Sequence, residues 1–179
     1  RLKKPDLMFT AVVGGSNVAW YKQLKAAGIT SDKYKMLTLS TTEDELLGIG
    51  GENAVGFYAS MKYFQSLENE NNIEFVKAFK EMWGEDSVIG DVTQAAYLGP
   101  WIWKAAVEKA GSFDIDKIHA AHPGIELPNA PEGYVRVHDT NQHLWSRSKI
   151  GMMKADGQFE VVAVSEELIE PDPFPEGYQ

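Results

Sequence analysis

Residues Asp6 to Gly28 read DLMFTAVVGGSNVAWYKQLKAAG, and this stretch decides the fold. Leu7 to Val13 is almost continuously apolar, which predicts a parallel strand covered on both faces; a half-exposed strand would alternate. Gly14 and Gly15 follow, residues that let the backbone turn sharply and approach a neighbour closely. Ser16 or Asn17 is placed to cap a helix. Val18, Tyr21, Leu24 and Lys25 share one side of that helix, and Gly28 stops it. Its first amides point at the turn and favour an electronegative ligand atom. Ligands of open α/β sheets lie beyond the carboxyl ends of the strands, so residues 14–17 are a candidate pocket wall. A glycine pair here is equally ordinary turn chemistry. It is no dinucleotide fingerprint, since the third glycine is missing, and no P-loop, since no G-K-[ST] follows.

Outward from this stretch, Met36 to Ser40 reads as a second strand, and Thr42 with Glu45 forms a capping box for a short helix reaching Gly48. After a glycine-rich bend, Val55 to Ala59 makes a third strand, and the β-α-β succession implies a parallel sheet with right-handed crossovers. Phe75, Val76, Phe79, Met82 and Trp83 recur at helical spacing up to Gly84, predicting a core-facing stripe. Asp91 with Gln94 reads as the cap of a long segment from Val92 to Lys109. That segment is apolar nearly all round, which predicts a central buried helix, kinked at Gly99-Pro100 and ended by Gly111. Asp114 caps a short helix through Ala121. From Ala130 the period changes to two, and Ile150 to Met153 and Phe159 to Val164 flank the turn signal Ala155-Asp156-Gly157, predicting an antiparallel β appendage. The prolines at 171, 173 and 175 predict an extended terminal strap.

The composition bounds the function. The chain has 179 residues, 44% hydrophobic and 24% charged, ordinary for a globular protein with a sizeable core. A formal net charge of −9 argues against nucleic acid and anionic membranes as partners. The absence of cysteine excludes disulfides, thiolate chemistry and Cys-bound metals. No apolar run approaches the roughly 20 residues that span a bilayer, and the opening residues do not read as a signal peptide. The opening Arg1-Leu-Lys-Lys, entering a strand within a few residues, reads as a cut from something longer.

No pattern calls for catalysis. His138, Asp139 and His143 match no zinc spacing, so no metal is expected. Ser16 after two glycines superficially resembles a nucleophile elbow, but no G-x-S-x-G is present and no histidine is placed to serve it. Glu43 and Glu45 could act as an acid/base pair, yet carboxylates in a first helical turn are the expected helix-stabilising choice. No cofactor is implied.

A set of segments, in one order over almost the whole chain, resembles one family. They are KPDLMFTAVVGGSNVAWYKQLKAAGI at 4–29, the S-x-x-E-x-E from Ser40 to Glu45, GFYASMKYFQS at 56–66, FVKAFKEMWG at 75–84, AAYLGPWIWKAAVEKAGSFDIDKI at 95–118, APEGYVRV at 130–137, KIGMMKADGQFEVV at 149–162 and PDPF at 171–174. Together they resemble the C-terminal half of the urea- or short-amide-binding component of an ABC transporter, a type I periplasmic binding protein of the branched-chain amino acid receptor family.

The resemblance implies a partial α/β fold of that type, with residues 1–55 in lobe two, 56–123 returning to lobe one, and 124–179 forming the crossover, hairpin and strap. It implies a non-enzymatic receptor of the periplasm or cell surface that closes on urea or a short amide like a hinge and delivers it to a membrane permease. A ligand-sensing regulatory domain of the same fold is the alternative. The implied ligand contacts are Gly15 and Ser16 at the first strand mouth, Thr41, Thr42 and Glu43 at the second, and Tyr97 from lobe one. The N-G-D-S version of the first loop is Val13-Gly-Gly-Ser16 here. With half of the two-lobed fold missing, exposed apolar faces would invite self-association or pairing with the other half.

Overall fold

The computed structural model describes residues 5–177, so the Arg1-Leu-Lys-Lys opening lies outside the described residues. In chain order the elements are β1 (Met8–Thr10), α1 (Ser16–Ala26), β2 (Met36–Thr38), α2 (Glu43–Ile49), a 3-10 turn (Gly51–Asn53), β3 (Tyr58–Met61), α3 (Glu70–Trp83), α4 (Asp91–Ala110), α5 (Ile115–Ala121), β4 (Glu126–Leu127), β5 (Val135–Val137), β6 (Leu144–Trp145), β7 (Lys149–Met153) and β8 (Phe159–Val164).

They form two bodies. The first is a five-stranded sheet in the order β1-β2-β3-β7-β8, with β1, β2 and β3 parallel and β7 and β8 antiparallel. Tyr21 and Leu24 of α1 and Leu46 and Ile49 of α2 pack one face of it, on Met36, Ala59, Met153 and Phe159. The second body joins α4 and α5 to the small sheet β4-β5-β6 around Leu98, Ile102, Ala106, Val135 and Val137. The chain leaves the large sheet after Met61 and returns to it at Lys149.

Local chemistry places the element ends as expected at Gly28, Gly84 and Gly111, each with positive φ, and at Asp114, whose carboxylate accepts from the Lys117 amide at 3.1 Å. The third strand starts three residues later than expected, at Tyr58, because Gly56 turns the chain with φ 81° just before it. Asp91 is the first residue of α4 and not its cap, Gly90 taking that position.

Three expectations about burial are corrected. β1 is not covered on both faces: it is a three-residue edge strand, and Leu7, Phe9 and Val13 are exposed, Phe9 by 62%. Only the α1/α2 side of the sheet is packed among the described residues, which leaves Phe9, Leu37, Tyr58 and Met152 side by side in register on the other face. The α3 stripe does not face a core: Met82 and Trp83 are exposed and Phe75 and Phe79 half-buried. α4 is buried along Gln94, Leu98, Ile102 and Ala106, whereas Val92, Tyr97, Trp101 and Trp103 lie open. It continues across Pro100 as one helix of 20 residues.

The hairpin around Ala155–Gly157 forms, but it is no appendage. β7 pairs with β3 and completes the main sheet. Gly151 is needed there, since a Cβ would meet the Phe64 ring at 2.6 Å. Beyond β8 the tail has no regular element up to Gly177, and its Ile169 bridges to Ser146.

Candidate functional site

The carboxyl ends of β1, β2 and β3 lie along one edge of the parallel sheet. After β1, Gly14 takes φ 62° and its carbonyl accepts from the Asn17 amide at 2.9 Å, closing the turn into α1. The cap position belongs to Gly15, and neither Ser16 nor Asn17 caps the helix. Ser16 opens the first turn with an exposed side chain. Asn17 is buried, and its Nδ2 donates to the Ser40 carbonyl at 3.2 Å. Ser40 Oγ in turn donates to the Val12 carbonyl at 2.6 Å. These two bonds join the mouths of β1 and β2.

The residues after Ser40 turn inward. Thr41 Oγ1 meets Tyr21 Oη at 3.1 Å, in a pocket whose burial pushes the Tyr21 phenol up to about 12. Thr42 forms the expected capping box: its amide and hydroxyl donate to Glu45 Oε2 at 2.8 and 2.6 Å. Glu43 is 0% exposed, and its Oε1 accepts from the Gln65 amide at 2.8 Å. Burial pushes the Glu43 carboxyl up to about 8, the Gln65 bond opposing, so it is predominantly neutral at pH 7. Burial and the nearby Glu43 raise the Tyr63 phenol as well.

Beyond β3, Asp91 Oδ1 accepts from the amides of Lys62 and Tyr63 at 3.0 and 2.9 Å. α4 starts hard against α2: a Cβ at Gly90 would lie 2.6 Å from Thr42 Oγ1 and closer still to the Asp44 carboxylate. A cavity of about 370 Å³ sits by this corner, lined among others by Leu39, Ser60, Lys62, Asp91, Ser146 and Arg147.

Gly15, Ser16, Thr41, Thr42 and Glu43 therefore share one edge, Gly15 and Ser16 at its surface and the other three inside it. Tyr97 lies elsewhere, in a groove of about 600 Å³ between α3 and α4, with its ring 4.5 Å from Phe75 and 6.0 Å from Trp101. His138 has local partners: Nδ1 accepts from the Thr140 amide at 3.2 Å, Nε2 lies 3.1 Å from Glu170, and the ring stacks on Trp145. Sequence reasoning missed Asn17 and Ser40 as the tie between the mouths. It also missed Lys149, although strand alternation puts that lysine on the buried parity with Gly151 and Met153.

A mixed sheet, parallel over β1–β3 with helix starts at the carboxyl edge of those strands and joined by two linkers to a second body, defines a two-body α/β protein. The whole chain, residues 1–179, matches the periplasmic binding protein domain, and the chain belongs to that family. A solute-binding protein of an ABC transporter from Rhodopseudomonas palustris BisB5, solved with 3,4-dihydroxybenzoic acid, superposes with a TM-score of 0.81 at 24% identity, over 93% of this chain and 47% of that one. A leucine-binding protein from Thermotoga maritima gives 0.74 at 22% identity, over 89% and 44%. Among curated proteins, one named limonene hydroxylase, from Geobacillus stearothermophilus, is 34% identical over 126 residues, which is 70% of this chain and 23% of that protein. The chain thus spans about half the length of the solved structures it matches and about a quarter of that curated relative.

Proposed function

We propose that this chain is part of the solute-binding component of an ABC importer, working in the periplasm or at the cell surface. It is a receptor without catalytic activity that hands its solute to a permease. The solute is urea or a short amide, taken at the edge formed by Gly15, Ser16, Thr41, Thr42 and Glu43, with Tyr97 approaching from the second body on closure. The observation that carries this reading is the Asn17–Ser40 bond, which makes the two strand mouths one edge. The Ser16 hydroxyl and the first α1 amides suit a solute carbonyl. Thr41, Thr42 and Glu43 shape the edge from behind. Gly15, Ser16, Thr41 and Thr42 carry no charge and Glu43 is neutralised by burial, which suits an uncharged solute.

One observation favours a second reading, a small carboxylate. The cavity beside the edge brings Lys62 and Arg147 together with the apolar Leu39 and the single carboxylate Asp91, 3.9 Å from Lys62, which leaves a cationic excess of the kind carboxylates call for. Solved relatives carry benzoates. Calorimetric titration with urea, acetamide, leucine and 4-hydroxybenzoate decides between them. Heat from the amides, abolished by Ser16→Trp, is expected; binding of the carboxylates alone moves the site to Lys62 and Arg147.

A further inference from the structure

Lys149 opens β7 at the point where the chain re-enters the large sheet, and only 4% of it is exposed. Its Nζ donates to the Lys62 carbonyl at 2.6 Å and to the Glu132 carbonyl at 3.0 Å. Lys62 begins the outgoing linker, directly after β3; Lys149 ends the returning one; Glu132 belongs to the second body, between β4 and β5. One ammonium therefore touches both connections and the body they lead to.

Its surroundings are built for it. A buried ammonium is costly unless its protons find acceptors and opposite charge stands near. Burial, with Arg147 and Lys62 nearby, pulls the Lys149 ammonium below its ordinary range; the carboxylates of Glu132 and Asp91 oppose that fall, and two carbonyls accept its protons. Glu132 is itself buried and accepts from Ser146 Oγ, on the returning linker. Asp91 holds the amides of Lys62 and Tyr63, and Asn69 Nδ2 donates to the Pro131 carbonyl at 3.0 Å. Both linkers are thus tied by side chains where regular pairing stops.

We infer that Lys149 is a positioning residue, whose ammonium fastens the two linkers to the second body and sets the angle at which the bodies present the binding edge. The inference deepens the solute-receptor reading and rests on it for its purpose. A receptor that closes on its solute needs a junction with few preferred angles, and a point donor gripping three segments supplies one.

The test uses the cysteine-free chain with two introduced labels, Lys22→Cys on α1 and Lys117→Cys on α5, both exposed positions. Pulsed electron spin resonance measures the distance between them without solute, and hydrogen exchange is followed in parallel. Lys149→Met, which keeps the stem and removes the donor, is expected to broaden the distance distribution. It should also speed exchange at 62–65 and 146–149 by about tenfold, while the core amides of Met36, Thr38 and Ala59 keep their protection. A merely stabilising lysine would lower protection everywhere and leave the distance unchanged, and that result overturns the proposal. Should Lys149→Met fail to fold, Lys149→Arg keeps the charge but replaces the point donor with a planar fork. It is expected to give a smaller broadening of the same kind, and an unchanged distribution in it overturns the proposal equally. Because no solute is present, a failed calorimetric titration leaves this result standing, and a rigid Lys149→Met leaves the titration standing.

Discussion

Asn17 Nδ2 donates to the carbonyl of Ser40 across 3.2 Å, from the first turn of α1 to the end of the neighbouring strand. The bond is buried at the Asn17 end, and it ties the first turn of α1 to the second strand mouth although no side chain caps the helix. Asn17→Ala should therefore destabilise the chain by roughly 1–2 kcal/mol, since it leaves a carbonyl without its donor. Urea denaturation checks the amount. Exchange of the Val18 amide, which bonds Gly15 within the turn, should rise in the same variant, and an unchanged midpoint would show that the two mouths hold together without this bond.

Glu43 should make stability depend on pH in the direction opposite to an ordinary carboxylate. Its folded value, about 8, lies above its ordinary 4.5, so the folded chain holds the proton more tightly than the unfolded chain. The contribution is fully present below about pH 4.5 and is lost as pH rises toward 8. Glu43→Gln keeps an oxygen for the Gln65 amide and removes the titration. It is expected to raise stability at pH 8 by a few kcal/mol relative to its effect at pH 4.5. Denaturant unfolding at the two pH values measures this, and equal effects at both would mean the buried carboxyl is solvated in solution.

Gly90 is set by contact and not by its own backbone angle. Its φ is −88°, comfortable for any residue, but the space for a Cβ is filled by Thr42 and Asp44. Gly90→Ala should cost about 1–3 kcal/mol through overpacking and loosen the seat of α4 on α2. Gly84→Ala pairs with it as a control, since nothing stands within 4 Å of its Cβ and only its φ of 104° resists. Thermal melts of both variants, with exchange at Asp44 and Thr93, separate crowding from backbone strain.

Met82 and Trp83 end α3 on an open apolar groove, Trp83 exposed by 66%. The double substitution Met82→Lys, Trp83→Lys should change unfolding free energy by less than about 0.5 kcal/mol, as surface changes do. It should also lower any concentration-dependent association, which light scattering reads directly. A large loss of stability would instead show that the groove is closed in solution.

What is legible in the sequence is what the backbone settles locally. The strand-helix order, the capping box at Thr42, the stops at Gly28, Gly84 and Gly111 and the hairpin around Asp156 all follow from neighbours within a few residues. Coverage is not local. Phe9 and Trp83 carry the signature of buried positions, but among the described residues nothing packs over them and both stay exposed. The inward turn of Thr41 and Glu43 is hidden for a related reason: their partners, Tyr21 and Gln65, stand 20 and 22 residues away, and only the folded sheet brings them there. Lys149 was within reach, since alternation from Met153 back through Gly151 marks it as inward-facing.

The seam between β3 and β7 has a consequence for biosynthesis. Ser60 and Ser148 meet across it, 88 residues apart, so a ribosome making about 5–20 residues per second exposes the bare flank of β3 for roughly 4–18 seconds before its partner emerges. During that interval the nascent polypeptide offers an unpaired ribbon beside Phe57 and Phe64. Chaperone dependence during translation should therefore be governed by how soon residues 149–153 arrive.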